Sequence, residues 1–199
     1  MAHASRWAGL PPADRRAGRR KLLVAAAFEL FGTGGESAVT VRSVCRGAKL
    51  NTRYFYENFA DLNELLGAVY DEVVAAMVVA LNTAMSGLPD DRARLRAGIR
   101  AGLEFISADP RRGRTLFTEG RTNPVLAARR AANQQLLLES VLPDAPRSRA
   151  ARVAQVVGAS MYAGAMAELA QQWLSGALGT DLDLVVDTAV GLLAPAPRD

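Results

Sequence analysis

Cysteine and histidine are almost missing from this chain: Cys45 and His3 are the only ones among its 199 residues. A single cysteine excludes a disulfide within the chain, and the two together cannot supply the donors of a Cys/His zinc site. Histidine catalysis would fall to a residue at the N-terminal end, where chains are commonly poorly ordered. Aromatic residues are scarce at 6%. Lysine is scarcer still, with Lys21 and Lys49 alone beside many arginines. No apolar run reaches the roughly 18 residues of a membrane span. Nor does the start resemble a signal peptide: Met1 to Arg20 is polar and Arg-rich, and Glu29 interrupts the apolar stretch Leu22–Phe31. The expectation is a soluble cytoplasmic protein with no metal, no cofactor and no membrane partner.

What is present is apolar residues, 50% against 22% charged, enough for one or two domains with a sizeable core. The charge is uneven. Residues 1–60 hold ten Lys/Arg against four Asp/Glu, whereas 61–199 hold fourteen against sixteen. A basic head on a near-neutral body points to a polyanion partner for the head and a different task for the body.

Alternating strand patterns are nearly absent, and breakers divide the chain into about nine helices, so the predicted class is all-α. The first helix is expected over about Arg15–Gly32, with Leu22, Leu23, Ala26, Ala27, Leu30 and Phe31 as its apolar stripe and Gly34-Gly35 as its stop. Thr40 and Asn51 are good N-caps for two short helices. Asp61-Leu62-Asn63-Glu64 resembles a capping box opening a long fourth helix. Asp91–Ser107 forms the fifth. Asp109-Pro110 and Asn123-Pro124 are cap-then-proline starts for the sixth and seventh. Ser148–Ser175 gives the eighth, and Thr180 or Asp181 starts the last. This divides the chain into a basic arm (1–14), a head (15–60) and a helical body (61–199).

The informative segment is Thr40–Phe59, TVRSVCRGAKLNTRYFYENF. Two short helices meet at a turn around Ala48-Lys49-Leu50. Phe55 and Phe59, four apart, face inward, which leaves Thr52, Arg53 and Tyr56 outward at the front of the second helix. That is a helix-turn-helix, in which such residues reach base edges in the major groove. Arginine can bond guanine bidentately, and threonine offers a hydroxyl or a methyl. Tyrosine hydroxyls and Thr40 suit phosphate oxygens. The alternative is two ordinary short helices with an aromatic core. Cys45 reads as a small buried hydrophobe rather than a redox sensor. The six basic residues from Arg6 to Lys21 are either a solvated arm or a minor-groove arm.

At these residues a family resemblance emerges. Residues 16–66 resemble the N-terminal domain of the TetR (tetracycline-repressor-like) transcriptional regulators. The matching features are Leu30-Phe31-Gly32, Gly35, Thr40-Val41-Arg42, Ala48, Tyr54-Phe55-Tyr56-Glu57-Asn58-Phe59 and Leu65-Leu66, gap-free from Thr40 to Leu65. The match covers about a quarter of the chain. The resemblance implies that Thr40 and Tyr56, with Tyr54 beside them, hold phosphates, and that Arg42, Thr52 and Arg53 face bases or the groove wall. Asn51 joins this DNA-binding set. Two departures stand out. Lys49 occupies a turn position where the family has a small residue, adding a cation that can reach a phosphate. Leu62 stands where the family has a lysine at the DNA backbone.

In the body, Val153, Val156, Val157, Ser160, Met161, Gly164 and Ala165 give the eighth helix a small-residue apolar stripe. The last helix is apolar nearly all round, so something must cover it. Either it is sandwiched within its own domain, or it pairs with a second copy in a four-helix bundle, as the resemblance implies. Phe105, Phe117, Tyr162, Met166 and Trp173, with Leu116, could line an apolar cavity, and Glu119, Arg121, Asn123, Gln134 and Gln172 could orient a ligand there. The same residues could equally be ordinary core. Together these readings describe a homodimeric repressor, at the nucleoid, released from a palindromic double-stranded operator by a small apolar effector. The alternatives are a helical enzyme or carrier for an apolar molecule, with Asp109, Glu119 and Glu168 as its only acid–base candidates, and a sequence-indifferent DNA binder.

Overall fold

The computed structural model describes residues 11–118, 123–141 and 148–193, without the side chains of 134–141 and 155. His3, Arg6, Glu119, Arg121 and the side chain of Gln134 therefore lie outside the described residues. The helices are α1 (Pro12–Gly34), α2 (Val41–Ala48), α3 (Thr52–Tyr56), α4 (Leu62–Met85), α5 (Asp91–Ala108), α6 (Pro110–Gly113), α7 (Pro124–Val141), α8 (Arg149–Leu174) and α9 (Leu182–Leu193). A 3-10 turn occupies Glu36–Ala38, and a π-helical turn, Arg114–Thr118, follows α6. No strand occurs among the described residues. No helix among them is long and apolar enough to cross a membrane. The chain divides into two compact units between Glu72 and Val73, inside α4.

The first unit is built on α1, α2, α3 and the start of α4. Helix α1 begins at Pro12, three residues before the sequence expectation, because proline's fixed φ suits a first helical position. Arg15 to Lys21 are thus helical residues, not an arm. Leu23, Val24, Ala27 and Phe31 form the buried edge of α1. Gly35, at φ 72, ends the helix and returns its N–H to the Phe31 carbonyl. Val44, Cys45 and Ala48 of α2 are buried with Phe55 and Phe59. Burying each such aromatic is worth about 1.5–3 kcal/mol. Burial pushes the Cys45 thiol pKa up, as expected of a small core residue.

Capping follows the sequence closely. Asp61 accepts the Glu64 N–H (2.8 Å) at the start of α4, but Glu64 reaches back to the Ala60 N–H (2.7 Å), one residue before the cap. Asp109 accepts the Arg111 N–H ahead of α6, Asn123 the Val125 N–H ahead of α7, and Ser148 the Ala151 N–H ahead of α8.

In the second unit, Ile99, Leu103 and Ile106 from α5, Ala170 from α8, and Val185, Val186, Ala189 and Val190 from α9 form a buried core cluster. Arg96 and Arg100 of α5 pair with Asp183 and Asp187 of α9 and hold the last helix from the side. Helix α9 is therefore not covered all round. Leu184 and Leu192 stand out at 63% and 82% exposure. Val153, Val156, Val157 and Met161 leave α8 exposed on the stripe read from the sequence. A Cβ at Gly158 or Gly164 would meet nothing.

Candidate nucleic-acid interface

The α2–turn–α3 segment is a helix-turn-helix built by local hydrogen bonds. Thr40 and Ser43 close a capping box: the Ser43 N–H donates to Thr40 Oγ1 (3.0 Å), and the Thr40 N–H to Ser43 Oγ (2.9 Å). The turn passes through Lys49 at φ 54, ψ 43, the only left-handed non-glycine among the described residues. The Leu50 N–H then returns to the Cys45 carbonyl at 2.9 Å. Asn51 Oδ1 accepts the Arg53 N–H at 3.1 Å and the Thr52 hydroxyl at 3.3 Å, so its carbonyl oxygen is committed to starting α3.

These bonds decide what each residue can offer. Thr40, Arg42, Lys49, Asn51, Thr52, Arg53 and Tyr56 are all exposed. Tyr56 is exposed at 65%, with its ring edge-to-face on buried Phe55 (centroids 5.3 Å apart), a fixed base for an outward hydroxyl. Tyr54 is half-buried, and the Arg19 guanidinium lies 4.5 Å over its ring. Leu62 lines an open groove of about 490 Å³ with Val41, Tyr56, Glu36 and Asp61, so the position where the resemblance implies a lysine holds an apolar side chain beside two carboxylates.

Glu57 and Arg19 contribute to this surface without having been given a role there by the sequence. Arg53, 83% exposed, donates Nε–H to Glu57 Oε1 at 2.9 Å. Arg19 Nη2 donates to Glu57 Oε2 at 3.4 Å. The i,i+4 spacing of Arg53 and Glu57 was a usable signal. The approach of Arg19, thirty-eight residues away from Glu57, had none.

In the body, Phe105, Phe117, Met166 and Trp173 each pack against the α5–α8–α9 core, as do Leu95, Leu169, Leu174 and Leu182. Trp173 Nε1 donates to Ser107 Oγ at 2.7 Å, and Arg112 lies 4.3 Å over the Phe105 ring. Tyr162 is half-buried, and burial pushes its phenol pKa up. Asn123 is spent on capping, and Gln172 donates to Glu168 at 2.7 Å. Asp109 is a poor proton donor: the Arg111 guanidinium holds its carboxyl below the usual range.

No protein-family model matches the chain. Among curated proteins it is 27% identical over 182 residues to the HTH-type transcriptional activator FasR of Mycolicibacterium smegmatis, covering 90% of this chain and 81% of the relative. Among solved structures, FadR from Bacillus subtilis in complex with stearoyl-CoA has TM-score 0.72 at 14% identity, covering 89% of this chain and 99% of that one. A TetR-like transcriptional regulator from Rhodococcus sp. RHA1 has TM-score 0.65 at 19% identity, covering 92% and 96%.

Proposed function

We propose that this chain, whose fold is that of the TetR-family transcriptional regulators, is a sequence-specific DNA-binding regulator acting as a homodimer. The observation that carries this reading is the α2–turn–α3 surface. Arg42, Lys49, Thr52, Arg53 and Tyr56 stand exposed on a frame fixed by buried Phe55 and Phe59. Arg42, Thr52 and Arg53 face the bases or the groove wall. Thr40, Lys49 and Tyr56, with Tyr54 behind them, take phosphates. Asn51 keeps its amide nitrogen for the duplex while its oxygen caps α3.

One short helix reads few bases, so two copies are needed. The exposed stripe of Val153, Val157 and Met161 on α8, with Leu184 and Leu192 on α9, supports a second copy of the chain as the cover. The two reading helices then meet inverted half-sites about one helical turn apart.

Effector control is the second half of the reading. An apolar ligand entering between Phe105, Phe117, Tyr162, Met166 and Trp173 favours a state that fits the operator less well, and the dimer is released. A long-chain acyl thioester is the first compound to try, since the Bacillus subtilis neighbour was solved with stearoyl-CoA. We read the output as repression. A binding site upstream of the promoter, rather than across it, would instead give activation, the role named for the Mycolicibacterium relative.

The test is selection of duplexes from random DNA by the purified chain near physiological salt. Recovery of an inverted repeat supports the reading. Tight, salt-sensitive binding without enrichment would favour a sequence-indifferent binder instead.

A further inference from the structure

The geometry points to Glu57 as the residue that sets how sharply this interface discriminates bases, by holding Arg53 in one orientation. The inference rests on the reading of Arg53 as a base-contacting residue. An exposed arginine ordinarily samples many rotamers, and a lone surface ion pair does little to stop it. Here the carboxylate is itself fixed from below. Arg19, whose side chain is only 16% exposed, bonds one oxygen, while its guanidinium lies over the Tyr54 ring. The other oxygen takes Arg53 Nε–H. Glu57 thus links α1, through Arg19, to Arg53, the one cation of α3.

The chemistry of the guanidinium gives this link a consequence. Arginine has five N–H donors in a rigid fork. With Nε–H committed to Glu57, the edge that pairs Nε with a terminal nitrogen is blocked. The two terminal nitrogens remain, and that end-on fork matches the O6/N7 edge of guanine. Glu57 also places a negative charge beside a surface meant for a polyanion, which weakens binding to any duplex. The residue lowers general affinity while sharpening selection.

The test uses the full-length chain with three probes: the duplex most enriched from random DNA, its single-base variants, and a scrambled duplex of equal length. Glu57→Gln should lower the preference at the position read by Arg53 about two- to fivefold, the scale of one exposed ion pair. It should also raise affinity for the scrambled duplex. Glu57→Asp keeps the charge but shortens the reach, so it should relax the preference and leave scrambled-duplex affinity unchanged. In an Arg53→Ala background, Glu57→Gln should leave base preference unaltered. If Arg53→Ala relaxes one position and Glu57→Gln relaxes none, Glu57 does not orient Arg53 and the inference is overturned alone. If Arg53→Ala relaxes no position, the reading beneath it fails as well. Equal losses on enriched and scrambled duplexes from both Glu57 variants would make the residue structural and overturn the inference.

Discussion

The guanidinium of Arg20 lies 4.2 Å over the ring of Phe59 and donates Nη1–H to the carbonyl of Asn58 at 3.3 Å. A basic residue that the sequence leaves between a solvated arm and a minor-groove arm is part of the frame behind α3. Arg20→Ala should therefore lower the stability of the chain by about 1–2 kcal/mol, the sum of a cation–π contact and a hydrogen bond. Arg20→Lys should recover only part of that, since an ammonium lacks the planar stacking surface. Urea unfolding followed by circular dichroism measures both. An unchanged midpoint for Arg20→Ala would mean that the contact contributes nothing.

Lys49 gives a prediction with two opposite signs. A left-handed lysine costs about 1 kcal/mol relative to glycine, so Lys49→Gly should raise the thermal midpoint. The same change removes a cation from the turn. If Lys49 takes a phosphate, the salt dependence of DNA binding should fall by about one phosphate contact per chain. A stabilised variant with an unaltered salt slope would remove Lys49 from the interface.

Asp109 should leave a mark on acid stability. Its carboxyl sits below the ordinary 3.8, first through its hydrogen bond to the Arg111 side chain and despite partial burial. A lowered folded-state pKa means stabilisation that is complete above the unfolded value and lost as pH falls through the folded one. Asp109→Asn keeps a capping oxygen but removes the charge. The variant should therefore melt below the wild type near neutrality, and the gap should close as pH drops below about 4. A gap independent of pH down to strong acid would contradict this account of the pair.

The dimer proposal is tested on α8 and α9. Met161 is 70% exposed and Leu192 82%. Met161→Glu with Leu192→Glu should leave the helical spectrum intact, yield monomers in sedimentation, and abolish binding to an inverted repeat. Monomeric wild-type chain at micromolar concentration would count against the proposal.

Much of this fold was legible because its signals are local. Thr40, Asn51, Asp61, Asp109, Asn123 and Ser148 each cap a helix start through a bond to an amide two or three residues ahead, which the sequence shows directly. The Phe55–Phe59 spacing likewise placed the inner face of α3. What stayed hidden depends on neighbours distant in sequence. Arg19 and Arg20 could not be told from a solvated arm until Tyr54, Glu57 and Phe59 were folded against them. The π-helical turn Arg114–Thr118 has no composition of its own. In the body, Phe105, Phe117, Met166 and Trp173 lie against the α5–α8–α9 core, and the sequence could not say whether they line a cavity there with Tyr162, because apolar side chains around a core and around a cavity have the same composition and spacing.

The central claim is that α3 enters the major groove and that Arg53 reads a base there. Methylation interference on the selected duplex tests it most directly, because guanine N7 lies in the major groove and adenine N3 in the minor. The account predicts interference at guanine N7 in each half-site, with one such position lost for Arg53→Ala. Interference confined to adenine N3, or a guanine pattern unchanged by Arg53→Ala, would contradict it.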